Sequence, residues 1–234
     1  MKSKREFIFY FRAFSFIFVF LYITNFQVVA QSNIKLDDRL YNGKFYNYFP
    51  PKNVKGNQFL FSSDFMLSSV YLGDRKYNNL NINIDVLNQE ILLKFETNEG
   101  AKRVISMSLA YLDSFIINNK VFVVNQIDSV NQRIEQEIKY NNYKFYINYY
   151  KKLELQSALN EINYYFSEVN RRITFIHKGE RVEISNNKKF YKLFGKEKGL
   201  MIKHYFKNGK FKLKKMTDKE LFGLLMFINN ECNG

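Results

Sequence analysis

The feature that most constrains this chain is a period of two that starts, breaks and starts again along most of its length. Leu80, Ile82, Ile84 and Val86 alternate with Asn81, Asn83 and Asp85, so an extended backbone there has one apolar face and one polar face. After Asn88-Gln89 the apolar run at 91–95 returns, and an antiparallel hairpin is the simplest way to join the two. Asn98-Glu99-Gly100 marks the next turn, with Ile105, Met107 and Leu109 alternating beyond it. The runs 115–117 and 121–124 flank Asn118-Asn119, a tight-hairpin signal because asparagine tolerates the left-handed backbone such turns need. Tyr143, Phe145, Ile147 and Tyr149 alternate against Lys144, Tyr146 and Asn148, and the runs 173–177 and 181–184 flank Lys178-Gly179-Glu180. The pattern predicts roughly nine to eleven short strands at the spacing of an antiparallel meander, sandwich or partly open barrel.

At about Asn186 the period changes. Phe190, Tyr191, Leu193 and Phe194 fit a short helix closed by Gly195, and residues 200–207 fit a second, ended by Asn208-Gly209 as a C-terminal cap. Thr217-Asp218-Lys219-Glu220 reads as a capping box, ahead of Leu221, Leu224, Leu225 and Ile228 on one face of a terminal helix. The expected class is therefore α+β, predominantly antiparallel β with a short C-terminal helical cap. Its parts are a β body at 58–185 and a basic helical cap at 186–234 packed on that body. Residues 31–57, with Gly43, Pro50-Pro51 and Gly56, read as an irregular leader lying over the domain.

The first thirty residues read as a signal peptide. Lys2, Lys4, Arg5 and Arg12 form a basic start, 13–26 is an apolar run, and Val28-Val29-Ala30 supplies small residues for cleavage between Ala30 and Gln31. Thr24, Asn25 and Gln27 interrupt the run before it reaches the length of a membrane span. The chain has 234 residues, 36 Lys+Arg and 22 Asp+Glu; removing four basic and one acidic residue with the leader leaves 204 residues and a net charge of +11. The single cysteine, Cys232, allows no intramolecular disulfide, so an exported product must hold its fold by its core.

Candidate chemistries are few. His177 and His204 are the only histidines and have no partner at metal-ligand spacing, so His and Cys alone cannot assemble a zinc or copper site. Asp37, Asp38, Asp64, Asp74, Asp85, Glu90, Asp113 and Asp128 are spread over separate turns and strands and read as solvated or turn-forming carboxylates. Neither a glycine-rich phosphate loop nor a Gly-x-Ser-x-Gly elbow is present. No catalytic, cofactor-binding or metal residues are expected, and no cofactor.

One segment stands out electrostatically. Residues 188–215 hold eleven lysines and a single acid, Glu197. Lys196, Lys198, Lys203, Lys207, Lys210, Lys212, Lys214 and Lys215 are the candidate contacts to an anionic surface: an acidic envelope component, a membrane surface or an acidic partner protein. Their interleaving with Phe190, Leu193, Phe194, Leu200 and Phe206 at helical spacing favours the plainer reading, lysines coating the solvated sides of core-packed helices. Nucleic acid is disfavoured, because arginine, the residue suited to bidentate phosphate and base contacts, numbers nine against 27 lysines. The profile rich in Lys, Asn, Ile, Phe and Tyr also matches A/T-rich codons, which discounts the charge as a signal of function.

The order of short motifs carries a resemblance. Gly56-Asn57-Gln58-Phe59-Leu60 with Asp64-Phe65, Asp74-Arg75-Lys76-Tyr77-Asn78-Asn79 before the strand at 80–85, Asp113-Ser114-Phe115, the segment 143–152 and the run 188–194 before a basic helix together resemble uncharacterised exported β-rich envelope proteins of Gram-negative bacteria. The resemblance implies export and a β-rich fold with a helical tail, and it implies no activity and no site residues. The expectation is an exported protein, periplasmic or associated with the outer surface, acting as a non-enzymatic binding or scaffold module. A hydrolase of envelope glycan or lipid is the first alternative and would need a cleft of converging polar groups. A carrier of lipid or another hydrophobic ligand is the second, and would need a curved sheet whose interior its own side chains do not fill.

Overall fold

The computed structural model describes residues 37–97, 99–128, 131–158 and 161–231. The expected signal peptide, its cleavage point at Ala30 and Gln31, and Cys232 lie outside the described residues. In chain order the elements are α1 (Asp38–Tyr41), β1 (Gly43–Phe45), β2 (Val54–Lys55), β3 (Met66–Leu72), β4 (Arg75–Asp85), β5 (Glu90–Glu96), β6 (Lys102–Met107), β7 (Ser114–Ile117), β8 (Lys120–Gln126), β9 (Gln132–Tyr140), β10 (Tyr143–Tyr150), β11 (Leu153–Ala158), β12 (Glu161–Phe166), β13 (Asn170–His177), β14 (Glu180–Glu183), α2 (Asn187–Lys192), α3 (Lys196–Asn208) and α4 (Asp218–Glu231). The described residues from Arg39 onward cluster as one compact unit.

Eleven strands form one open antiparallel sheet in the order β1-β6-β5-β4-β3-β7-β8-β9-β10-β13-β14. The turns fall where the sequence signals put them. Asn118 and Asn119 (φ 50° and 57°) join β7 to β8, and Lys178 and Gly179 (φ 52° and 84°) join β13 to β14. Both central residues are left-handed, the geometry whose twist matches that of the strands. Asp85 closes the β4–β5 turn: it is fully buried, and its carboxylate accepts from the backbone of Leu87 and Asn88 (2.9 Å each), the Asn88 amide and the Tyr46 hydroxyl (2.7 Å).

The sheet rolls up. Between β4 and β10 lie five strand spacings, about 24 Å across a flat sheet. Yet Gln89, in the β4–β5 turn, donates to the Tyr149 carbonyl of β10 at 2.8 Å and accepts from Asn148 at 2.6 Å. Twist and the irregular β3–β4 register between Ser68 and Val70 supply the bend. Inside the roll, Leu60, Ile84, Val86, Phe122, Ile134 and Tyr149 leave a void of about 10 Å³, no more than one water.

Two findings correct the expected organisation. The 31–57 segment is not wholly irregular. Among its described residues α1 buries Leu40, β1 pairs with β6 at the sheet edge, and β2 pairs in parallel with β12 in a separate three-stranded sheet, β11-β12-β2. These strands are two and three residues long, too short to show a period. The second correction concerns the helix ends. Gly195 does not close α2 but opens α3 as its N-cap, at φ 76°. Gly209 is the C-cap of α3, as the Asn208-Gly209 reading expects, but with a right-handed φ of −80°; the left-handed residue is Lys210 (φ 51°). Gly209 is needed for space instead, since a Cβ there would lie 2.1 Å from the Phe211 ring.

The helical cap packs on the second half of the sheet. Phe145, Ile147, Ile173 and Phe175 meet Phe190, Ile202, Phe206, Leu221, Leu224, Leu225 and Ile228 in one buried cluster. The capping box forms as read: Thr217 N–H donates to Glu220 Oε2 at 2.6 Å and Glu220 N–H to Thr217 Oγ1 at 3.3 Å.

Candidate anion-binding site

The cap is held together by a few directional contacts. Asn186 caps α2 by accepting from Lys189 N–H at 2.8 Å. Asn187 ties the 211–213 segment to α2, donating to the Phe211 carbonyl and accepting from Leu213 N–H, each at 2.8 Å. Arg171 on β13 donates to the carbonyls of Lys214 (2.8 Å) and Met216 (2.5 Å), so the turn between α3 and α4 is pinned to the sheet. Gly199 lets α3 approach α2, because a Cβ there would sit 2.6 Å from the Tyr191 carbonyl oxygen.

All eleven lysines of 188–215 are exposed, and among the described residues none forms an ion pair. The eight sequence-predicted contacts separate into three places. Lys212, Lys214 and Lys215, joined by Lys188, rim an apolar groove of about 620 Å³ floored by Tyr191 and Leu213. Lys196, Lys203 and Lys207 recur at spacings of seven and four on one flank of α3, and Lys210 follows that helix. Lys198 faces a second concavity, a cleft of about 900 Å³ between the β13–β14 turn and the joint of α2 with α3. Leu200 (48% exposed) and Met201 (38%) lie among these lysines on α3.

Sequence reasoning missed part of that cleft. Lys178, Lys192 and His177 line it with Lys198, and Tyr143 and Phe194 supply aromatic wall. Lys178 belongs to a hairpin outside the lysine-rich segment; its only sequence signal was the Lys-Gly turn that aims it outward. His177 packs edge-on against Phe194 (5.4 Å between ring centroids) and stacks near Phe175 (6.2 Å). Burial, followed by the Lys178 charge, lowers its proton affinity below the ordinary value of 6.5, with Glu180 opposing. His204, by contrast, is exposed on α3 away from this lining.

A second polar constellation was also missed. On the opposite face of the sheet, Glu135 is 1% exposed and accepts through Oε2 from Arg181 (2.5 Å) and Asn125 (2.7 Å). Arg181 stacks 4.8 Å over the Tyr146 ring, whose hydroxyl donates to Glu137 at 3.3 Å, and Lys139 and Lys144 stand 3.4 Å from Glu137. Burial, then the Glu137 charge, raises the Tyr146 proton affinity. Here each carboxylate has its cation, so the charge is spent internally; Glu135 Oε1 alone lacks a hydrogen-bond partner. The carboxylates read as turn residues do that work: besides Asp85, Asp113 accepts from Gly73 N–H and Asp128 from Asn131. Among the described residues no three of His, Cys, Asp and Glu gather as a metal site, and no helix is long and apolar enough to cross a membrane.

Comparison with protein-family models, curated proteins and solved structures finds no match to this chain. The chemistry of the site therefore rests on its residues alone. An unneutralised array of lysines with two concavities can hold anions; it contains no nucleophile–base pair and no converging carboxylates.

Proposed function

We propose that this chain is an exported, non-enzymatic envelope protein whose helical cap docks on an anionic membrane surface. One observation carries the reading: the eleven lysines of 188–215 are exposed, share that segment with a single acid and, among the described residues, form no ion pair, while Glu135 and Glu137 on the sheet are matched by cations. Lysines near an anionic leaflet contribute about 1 kcal/mol each, and apolar side chains among them add burial in the headgroup region. Leu200 and Met201, exposed beside Lys196 and Lys203, favour a lipid surface over a purely polar polymer. Among the described residues the void inside the roll, about 10 Å³, has no room for a carried lipid, and the pairing of Glu135 and Glu137 with Arg181, Lys139 and Lys144 speaks against a free carboxylate pair for glycan hydrolysis.

Co-sedimentation with vesicles tests this. The protein is expected to pellet with vesicles of phosphatidylcholine and phosphatidylglycerol at low salt, to be released at high salt, and to ignore phosphatidylcholine alone. Replacing Lys196, Lys203, Lys207, Lys210, Lys212, Lys214 and Lys215 by glutamine should abolish pelleting with the circular dichroism spectrum unchanged. Absence of binding to the anionic vesicles, or binding indifferent to salt, overturns the proposal.

A further inference from the structure

We propose that the cleft between the β13–β14 turn and the α2–α3 joint is a specific binding site for a phosphate group, held by Lys178, Lys192 and Lys198 with the His177 imidazole beside them. This deepens the surface-docking reading by naming the group recognised, and it rests on that reading for the membrane as the source.

Four features converge. The cleft, about 900 Å³, lies within the size range of small-molecule sites, so it can enclose a headgroup. Its three lysines come from three separate elements, the β13–β14 turn, the end of α2 and the first turn of α3, so they line one cleft together rather than form a stripe along a single helix. Ammonium groups bring three donors each, which suits an acceptor with several charged oxygens better than a carboxylate with two. Glu180, Glu183 and Glu197 are the acids on these elements, and none lines the cleft. Finally, α3 is 13 residues long, and its N-cap, Gly195, has no side chain to satisfy the first-turn N–H groups, which adds partial positive charge on the same side as Lys198. Tyr143 and Phe194 leave one wall apolar, suited to the uncharged part of a phosphorylated molecule.

The two histidines make the test clean. His177 lines the cleft and His204 does not, so their imidazole C–H signals in a proton NMR titration are a probe and its control. Inorganic phosphate added to the full chain at constant ionic strength should move the His177 signal saturably and raise its proton affinity, because a bound anion favours the imidazolium, while His204 stays put. Lys178→Asn with Lys192→Gln and Lys198→Gln should weaken this response by at least roughly tenfold, about 1.4 kcal/mol. Asparagine is chosen at 178 because φ there is 52°. The control set Lys203→Gln, Lys207→Gln and Lys210→Gln should leave it unchanged. If both histidines move together, if neither moves, or if the control set weakens the response equally, the cleft is not a phosphate site.

Vesicles separate the source. Tighter pelleting with phosphatidic acid, a phosphomonoester, than with phosphatidylglycerol at matched charge, lost in the cleft variant, assigns a lipid headgroup. A His177 response to free phosphate with no vesicle binding keeps the cleft, assigns a soluble phosphorylated ligand and overturns membrane docking. Vesicle binding with a silent His177 leaves docking standing and overturns the cleft.

Discussion

The two halves of the sheet are built from strands of the same kind and bury them differently. From β3 to β8 the core is aliphatic, Val70, Leu72, Ile82, Ile84, Ile91, Leu93 and Ile105, with Phe115 and Phe122 as its fully buried rings. That half closes by rolling on itself and by taking in Leu40, Tyr41, Leu60 and Phe61 from the leader side. In β9, β10, β13 and β14 the strands face helices, and rings take a larger share beside Ile147, Ile173, Leu221, Leu224 and Leu225: Phe145, Phe175, Phe190 and Phe206 are buried, with Tyr143, Tyr149, Phe194, Tyr205, Phe211 and Phe227 around them. The difference teaches where function can reside. The helix-covered half gains lysine-lined joints and clefts between elements that need not interdigitate, whereas the concavity of about 520 Å³ on the rolled half, lined by β3, β4 and the β7–β8 hairpin, has no charged side chain in its lining.

Breaking the aromatic half should give the largest effect. Phe175 contacts the rings of Tyr143, Phe145, His177, Phe190 and Phe194. Phe175→Ala should cost about 3–5 kcal/mol, against about 2–4 for Ile82→Ala in the rolled half. Urea unfolding followed by circular dichroism and by tyrosine fluorescence distinguishes the outcomes. Coincident transitions in both variants mean the halves unfold together; an early transition in Phe175→Ala alone means the helical half is a separate unit.

Tyr149 reports on the seam, since it packs against both clusters. Its hydroxyl donates to Gln136 Oε1 at 2.6 Å, and burial, then the Asp218 charge, pushes its pKa up to about 12. The unfolded chain ionises this phenol near 10, so the stability due to its neutral form is complete below pH 10 and is lost as pH rises from 10 to about 12. The loss can reach about 2–3 kcal/mol. Tyr149→Phe should flatten that slope relative to the parent; an unchanged slope would place the alkaline sensitivity in other tyrosines.

Legibility followed the same division. The long strands and tight turns of the sheet were readable because alternation and Asn-Asn or Lys-Gly pairs are local signals, and Thr217 with Glu220 announced α4 as plainly. The roll was not readable. It depends on Gln89 meeting Asn148 and Tyr149, about 60 residues away, and nothing local marks that contact. The lysines were visible as a run, but the cleft needs Lys178 from a hairpin and Lys192 and Lys198 from two helices, a convergence only packing produces. The sequence singles out neither Glu135 nor Glu137, and Glu135 is distinguished only by the arrival of Arg181 from β14.

Two glycines sharpen the contrast within the cap. Gly199→Ala would place a methyl 2.6 Å from the Tyr191 backbone oxygen, which cannot swing away, so it should cost about 1–3 kcal/mol and loosen the α2–α3 joint that forms the cleft. Gly223, inside α4, has only the Tyr205 hydroxyl at 3.5 Å from a built Cβ. Gly223→Ala should stabilise by about 0.5–1 kcal/mol through helix propensity. Thermal melts compare them directly, and a destabilised Gly223→Ala together with a neutral Gly199→Ala would reverse the account of how the helices pack.

The smallest effect tests whether the halves communicate at all. Asp218, in the first turn of α4, accepts from Gln136 of β9 at 2.8 Å and pairs with Lys120 of β8, so one carboxylate links the terminal helix to both sides of the seam. Both charged partners are about one-third exposed, 29% for Lys120 and 34% for Asp218, so water screens the pair and the coupling should be about 0.5–1 kcal/mol. A double-mutant cycle of Lys120→Met and Asp218→Asn isolates it from the helix-terminus and Gln136 contributions that either single change carries. Salt should reduce the coupling. Amide exchange adds the spatial readout: if the pair joins the halves, Asp218→Asn should speed exchange in β8 as well as α4, whereas acceleration confined to α4 would leave Lys120 a bystander and the seam to Tyr149 and Gln136 alone.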